Sequence, residues 1–234
     1  LILPVLYGAD AARRLPVNVT FGPNINLSVQ RWSPKVAQRE TTIAVNPRNP
    51  SNLVAGAIDA VPRQNDRSCS FSYTMDGGLT WKLGGGVPLE ANSDMSGDPA
   101  LAADADGNFY YAYLREDKSL SKFDVLVAKS TDGGRTFPTF SAVARTVSTP
   151  TFASMNDKDF IGVDTGAASP FRGTIYVTWT ELYGDATADF YRINVATSRD
   201  GGATWSAPQH LSPSVGASTE WVIGSVPVVA PDGT

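Results

Sequence analysis

Thr74-Met75-Asp76-Gly77-Gly78-Leu79-Thr80-Trp81 returns as Ser130-Thr131-Asp132-Gly133-Gly134-Arg135-Thr136-Phe137. It returns again as Ser198-Arg199-Asp200-Gly201-Gly202-Ala203-Thr204-Trp205. The common pattern is Ser/Thr-x-Asp-Gly-Gly-x-Thr-Trp/Phe. Its aspartates stand 56 and then 68 residues apart. Asp-Gly-Gly is hairpin chemistry: the glycines accept positive φ, and the Asp side chain bonds nearby backbone N–H groups. The Thr hydroxyl can tie the turn further, and the aromatic residue can plug the space beneath it. All three aspartates, Asp76, Asp132 and Asp200, are therefore expected to be structural.

Working outward, an alternating segment precedes each turn: Cys69 to Tyr73, Phe123 to Lys129, and Tyr191 to Thr197. Alternation of period two marks a half-buried strand. A second repeat lies further upstream. Ile43-Ala44-Val45-Asn46 leads to Leu53-Val54-Ala55-Gly56, and Leu101-Ala102-Ala103-Asp104 leads to Phe109-Tyr110-Tyr111-Ala112-Tyr113. Ile161-Gly162-Val163-Asp164 leads to Ile175-Tyr176-Val177-Thr178-Trp179, and Val228-Val229-Ala230 opens a further copy. Each unit reads strand, turn, strand, loop, strand, turn, strand. Repeats of four antiparallel strands at this period make propeller blades. The expected fold is an all-β propeller with three complete blades and the start of a fourth. Residues 1–39 form an N-terminal arm and strand, 40–96 the first blade, 97–155 the second, 156–219 the third, and 220–234 the beginning of the fourth. Three blades and one strand do not close a ring, so the open edges are expected to be covered by more chain or a partner subunit.

The Asp-Gly-Gly repeats resemble the Asp boxes, or bacterial neuraminidase repeats, of the sialidase superfamily. The resemblance covers roughly residues 40–234. It implies a secreted or periplasmic protein, with the Asp boxes on the face away from the active site. Its members include sialidases, other glycosidases and non-catalytic binding propellers. Sialidases add a Phe/Tyr-Arg-Ile-Pro motif before the first box, an arginine triad for the substrate carboxylate, a Tyr/Glu nucleophile pair and an Asp acid. Upstream of Asp76 this chain has no such motif. Tyr191-Arg192-Ile193-Asn194 is the nearest look-alike, but it lacks the proline and precedes the third box. The resemblance therefore implies a non-catalytic propeller that binds protein or carbohydrate. The alternative is a glycoside hydrolase of sialidase type.

The bulk composition agrees. Hydrophobic residues make up 42% of the 234 and charged residues 18%, as in a globular chain. A net charge of −4 gives no attraction to a phosphate backbone, so no nucleic-acid partner is expected. No stretch reaches the roughly 20 apolar residues of a transmembrane helix. The apolar start, Leu1 to Tyr7, reads as a packing arm or as the tail of a secretory signal. Cys69 is the one cysteine and is expected in the core; His210 is the one histidine and is expected at the surface. Asp104-Ala105-Asp106-Gly107-Asn108 reads as a tight hairpin, not a calcium loop, because the distant acid is missing. No metal or cofactor is expected.

In a propeller the first strand of each blade lines the central channel, and the loops entering it form the mouth. Aligning the first strands places Glu40, Asp98, Lys158 and Ser225 at equivalent positions there. Clustered carboxylates beside cations can serve as acid and base, or bind sugar hydroxyls. Glu40, Asp98 and Asp159 are the catalytic candidates. Arg39, Lys158, Tyr183, Glu220 and Trp221 are the ligand-binding candidates, the last two aromatics as stacking surfaces for sugar rings.

Overall fold

The computed structural model describes residues 25, 27, 37–60, 67–91, 93, 95–117, 122–149, 152–184, 189–216 and 220–234. Most of the expected N-terminal arm lies outside the described residues. The strands follow the turn chemistry. β1 (Ala37–Val45), β2 (Leu53–Ala60), β3 (Arg67–Thr74) and β4 (Lys82–Gly86) form one antiparallel sheet in the order β1-β2-β3-β4. β5 (Met95–Ala103), β6 (Phe109–Asp117), β7 (Lys122–Ser130) and β8 (Thr139–Ala144) repeat that order. The third sheet is built on β10 (Phe152–Val163), β11 (Ile175–Gly184) and β12 (Asp189–Ser198). β9 (Ser148–Thr149) adds to its β10 edge.

The third sheet departs from the even four-strand expectation. Its last strand is split into β13 (Gln209–His210) and β14 (Val215–Gly216), both paired with β12. The break holds Pro213, which has no N–H to give a ladder. Ser212 covers part of the gap, its Oγ accepting the Ile193 N–H at 2.9 Å.

β6 shows why the sheets stack face to face. Phe109, Tyr111 and Tyr113 turn to the first sheet and pack with Val54, Ile58, Cys69 and Phe71. The alternate residues Tyr110, Ala112 and Leu114 turn to the third sheet and pack with Ile161, Ile175, Val177 and Trp179. A strand buried on both faces needs apolar residues at every position, and this one has them. The middle sheet is the core; each outer sheet buries one face on it. Cys69 and Trp179 are buried as expected, at 0% and 1% exposure.

The three Asp-Gly-Gly turns share one hydrogen-bond pattern. In the second, the Ser130 hydroxyl donates to Asp132 Oδ1 at 2.8 Å and accepts the Gly134 N–H at 2.9 Å. Thr136 gives its N–H to Asp132 Oδ1 (3.0 Å) and its hydroxyl to Oδ2 (2.7 Å). Gly134 needs its glycine twice over. Its φ is +80°, and a Cβ there would come within 2.0 Å of Val54 Cγ2 in the first sheet. The turn thus docks on the preceding sheet, where Asn52 Nδ2 donates to the Gly133 carbonyl at 2.8 Å. The third turn docks likewise, with Ser141 Oγ donating to the Gly202 carbonyl at 2.6 Å and Trp205 Nε1 donating to Ser141 Oγ at 2.9 Å.

These bonds hold the turn carboxylates in their charged form. The Thr80 hydroxyl and N–H, with the Thr74 hydroxyl, pull Asp76 down to about 2. Thr204 and Ser198 depress Asp200 further. At Asp132 partial burial pushes upward, but the bonds from Thr136, Ser130 and Arg135 outweigh it. Asp132→Ala should lower stability by about 1 kcal/mol, the cost of a lost local cap. Thermal melting checks this, and ligand affinity should not change.

The segment 220–234 begins a fourth copy. Its Ala230 N–H bonds the Thr234 carbonyl at 2.7 Å and the Gly233 N–H bonds the Ala230 carbonyl at 2.9 Å. The same pair closes the second sheet's first hairpin, from Asp104 to Asn108 (3.0 Å) and from Gly107 to Asp104 (3.1 Å). That hairpin, read from the sequence as a tight turn, is one. Thr178 Oγ1 ties the segment to the third sheet through the Ser225 carbonyl, at 3.3 Å. Among the described residues no helix is long and apolar enough to cross a membrane.

Candidate functional site

The first strand of every sheet carries the same irregularity. Pairing with the second strand slips between Arg39 and Thr42, between Gly97 and Ala100, and between Asp157 and Phe160. One residue inside each slip adopts left-handed backbone: Glu40, Asp98 and Lys158, each at φ 50°. They are the only non-glycine residues with positive φ among those described. Each such residue costs on the order of 1 kcal/mol, and strain of this kind collects at functional sites.

The bulges turn the three side chains together. Lys158 Nζ sits 2.9 Å from Glu40 Oε2 and 3.5 Å from Asp98 Oδ1. The Lys158 backbone N–H donates to Asp98 Oδ2 at 2.8 Å and to Asp157 Oδ1 at 3.0 Å. With Thr41, Thr42, Pro99, Asp159 and Phe160 they line a cleft of about 200 Å³. Thr42 also stitches the first two sheets together, its Oγ1 accepting the Leu101 N–H at 3.0 Å. The Asp-Gly-Gly turns follow the third strands, which run parallel to the first. They therefore lie at the opposite end from the bulges.

Four of the expected residues, Glu40, Asp98, Lys158 and Asp159, meet in this cleft. The fourth-copy alignment needs correcting. Glu40, Asp98 and Lys158 each lie six residues before the residue that closes the first turn: Asn46, Asp104 and Asp164. Counting back from Ala230 gives Gly224, at φ +80°, not Ser225. The apolar positions of the copies therefore align one residue out of step with their turns. Ser225 is instead equivalent to Asp159, and among the described residues the buried side-chain oxygens of both lack a hydrogen-bond partner. Gly224 was legible as the residue type that favours left-handed backbone.

The remaining candidates sit elsewhere. The Tyr183 ring stacks on Phe190 at 5.5 Å, lies under the Arg192 guanidinium at 4.3 Å, and gives its hydroxyl to Ser214 Oγ at 2.6 Å. Trp221 is 70% exposed and stacks on buried Tyr191 at 5.3 Å and 20°. Arg39 and Glu220 are exposed. His210 is exposed, its Nδ1 2.7 Å from Asn194 Oδ1.

Sequence reasoning missed an ion network at the same end of the middle sheet. Arg115, with its side chain 9% exposed, reaches Asp124 at 2.9 Å, and Asp117 and Glu90 each at 3.4 Å. Arg145 reaches Asp124 at 2.8 Å and Glu90 at 2.5 Å. Glu90 belongs to the connection between the first two sheets, so the network clamps that crossing to the mouth.

The cleft carboxyls are held unlike those of the turns. Burial pushes Glu40 upward, a hydrogen bond with Asp98 adds to it, and Lys158 partly offsets both. Burial, reinforced by the Asp98 charge, raises Asp159 well above the ordinary range. Asp159 is 1% exposed, and among the described residues neither carboxyl oxygen has a hydrogen-bond partner. Folding therefore takes up a proton at Asp159 above the ordinary Asp pKa of about 3.9, and stability rises as pH falls towards that value. Below it the turn carboxylates dominate: their depressed values give stability that is lost as pH falls from about 4 through 2. Melting followed across pH should show a maximum near pH 4. Asp159→Asn should flatten the limb on the neutral side and leave the acid limb in place.

Three consecutive antiparallel sheets, each first strand bulged towards a shared cleft, define a fold of the β-propeller kind. No family model matches the chain, and no curated protein matches it. Among solved structures it is similar to an α-L-arabinanase of Penicillium chrysogenum, complexed with arabinobiose. The TM-score is 0.54 at 15% identity, covering 75% of this chain and 50% of that one. An α-L-arabinofuranosidase from Fusarium graminearum matches with a TM-score of 0.49, 16% identity and coverage of 76% and 48%. A Hadza microbial sialidase matches at 0.41, 11%, 76% and 46%. At 15% identity the likeness to the arabinanase is one of fold. These neighbours are β-propeller glycoside hydrolases. The chain spans half the length of the arabinanase structure it matches.

Proposed function

We propose that the chain supplies blades of a secreted or periplasmic β-propeller that binds a glycan, without cleaving it, at the cleft between Glu40, Asp98 and Lys158. The blades are 40–96, 97–155 and 156–219, with 220–234 opening the next, where Val226 and Val228 are exposed. One observation carries the reading. Three strained residues, one from each sheet, converge on the cleft at the end opposite the Asp boxes. Trp221, held flat by Tyr191 at the entrance to the fourth copy, adds a preorganised apolar surface for a sugar ring.

The geometry of the acids favours binding over cleavage. A hydrolysing pair stands roughly 5 to 9.5 Å apart, leaving room for the sugar or a water. Glu40 and Asp98 are instead drawn onto one ammonium, Lys158 Nζ lying 2.9 Å from Glu40 Oε2 and 3.5 Å from Asp98 Oδ1. The second reading, a glycosidase of sialidase type, draws on Asp159, whose carboxyl burial holds well above the ordinary range, as suits a general acid. A sialidase also needs a guanidinium cluster for the substrate carboxylate, and the sequence has no match for the first of these arginines.

Purified protein incubated with fluorogenic sialoside and arabinofuranoside should show no turnover above buffer, while a glycan array should show binding that Trp221→Ala weakens at least tenfold. Turnover abolished by Asp98→Asn would overturn the binding reading in favour of the enzyme.

A further inference from the structure

We infer that the cleft selects a sugar carrying a free, protonated amine, and disfavours one carrying a carboxylate. This rests on the glycan-binding reading and adds the ligand class to it. The cleft has more acceptors than donors. Glu40, Asp98 and Asp159 line it, and Asp157 closes on the Lys158 backbone from beside it. Lys158 is the only cation among the lining residues described, and its ammonium already lies between Glu40 and Asp98. Its N–H is likewise committed to Asp98 and Asp157. An incoming carboxylate would meet like charges and find no free cation to pair with.

Asp159 supplies the independent observation. A buried carboxyl ordinarily has hydrogen-bond partners, and one without them calls for a group to fill the place. Here both oxygens lack a partner at 1% exposure, in a residue that lines the cleft. An ammonium brings up to three N–H donors in one small group, and its positive charge favours the ionised Asp159 carboxylate that burial alone disfavours. A hydroxyl brings one donor and an added acceptor, and so relieves the excess less. Gly224 stands six residues before the turn closed by Ala230, as Lys158 stands before the one closed by Asp164, and with φ +80° it brings no side chain to that position.

Titration calorimetry with four oligosaccharides tests this: a glucosamine trimer, its fully N-acetylated counterpart, arabinotriose and sialyllactose. The glucosamine trimer should bind at least tenfold tighter than the N-acetylated trimer, and sialyllactose weakest. Added salt should weaken the glucosamine trimer selectively. Asp159→Asn, which keeps the side-chain shape, should bring the two trimers within about twofold of each other. Equal or tighter binding of the N-acetylated trimer, arabinotriose or sialyllactose would overturn the inference while leaving glycan binding intact. Binding of none of the four, with an array also blank, would overturn both.

Discussion

Phe137→Ala should destabilise the protein by about 3 to 5 kcal/mol, the largest effect expected of any single truncation here. Phe137 ends the second Asp-Gly-Gly repeat and is 5% exposed. Its ring meets Phe71 of the first sheet edge-on at 4.8 Å and 73°, and Tyr111 of the second at 5.7 Å and 87°. Removing it opens a cavity in the contact between two sheets, and the surrounding strands are fixed by their ladders, so the space cannot collapse fully. For a chain of this length the melting temperature should fall by roughly 10 °C. A fall of only a few degrees would mean that the repeat's aromatic residue is a surface plug and not part of the core.

Arg115→Met should cost about 3 kcal/mol, for a different reason. The arginine is buried among carboxylates, and removing one partner of a buried pair leaves uncompensated charge. Asp124 keeps Arg145 at 2.8 Å and the Thr146 N–H at 2.7 Å, which holds the loss at the lower end of the usual range. Arg145 is 47% exposed, so Arg145→Met should cost about 1 kcal/mol or less. Denaturant unfolding of the two variants side by side checks the contrast. Equal losses would show that the network does not depend on burial.

Much of the fold was legible because its signals are local. Asp-Gly-Gly with flanking Ser/Thr specifies a turn through bonds between residues at most four apart, and the sequence carries that chemistry three times. The alternating segments before the three turns, Cys69 to Tyr73, Phe123 to Lys129 and Tyr191 to Thr197, were readable for the same reason. The cleft was legible only in part. Aligning first strands brought Glu40, Asp98 and Lys158 to one place, yet nothing in a Glu, an Asp or a Lys marks left-handed backbone. The bulges that impose it are a property of pairing between strands. Only the fourth copy wrote the requirement openly, as Gly224, and matching the copies by apolar residues passed over it for Ser225. Arg115 was illegible because its partners come from a neighbouring strand and from the connection holding Glu90. The register that joins them exists only once the sheets are stacked. Tyr183, expected as a stacking surface, lies within β11, and Phe190, Arg192 and Ser214 occupy its ring and hydroxyl.

The account's central claim is that ligand binds at the bulge end of the sheets. Backbone amide NMR during titration with the best-binding oligosaccharide tests it most directly. The largest shifts should fall at 40–42, 98–101, 157–160 and 221–224, and they should saturate together. Shifts centred on 76–80, 132–136 and 200–204 would place the ligand on the Asp-box face and contradict the account.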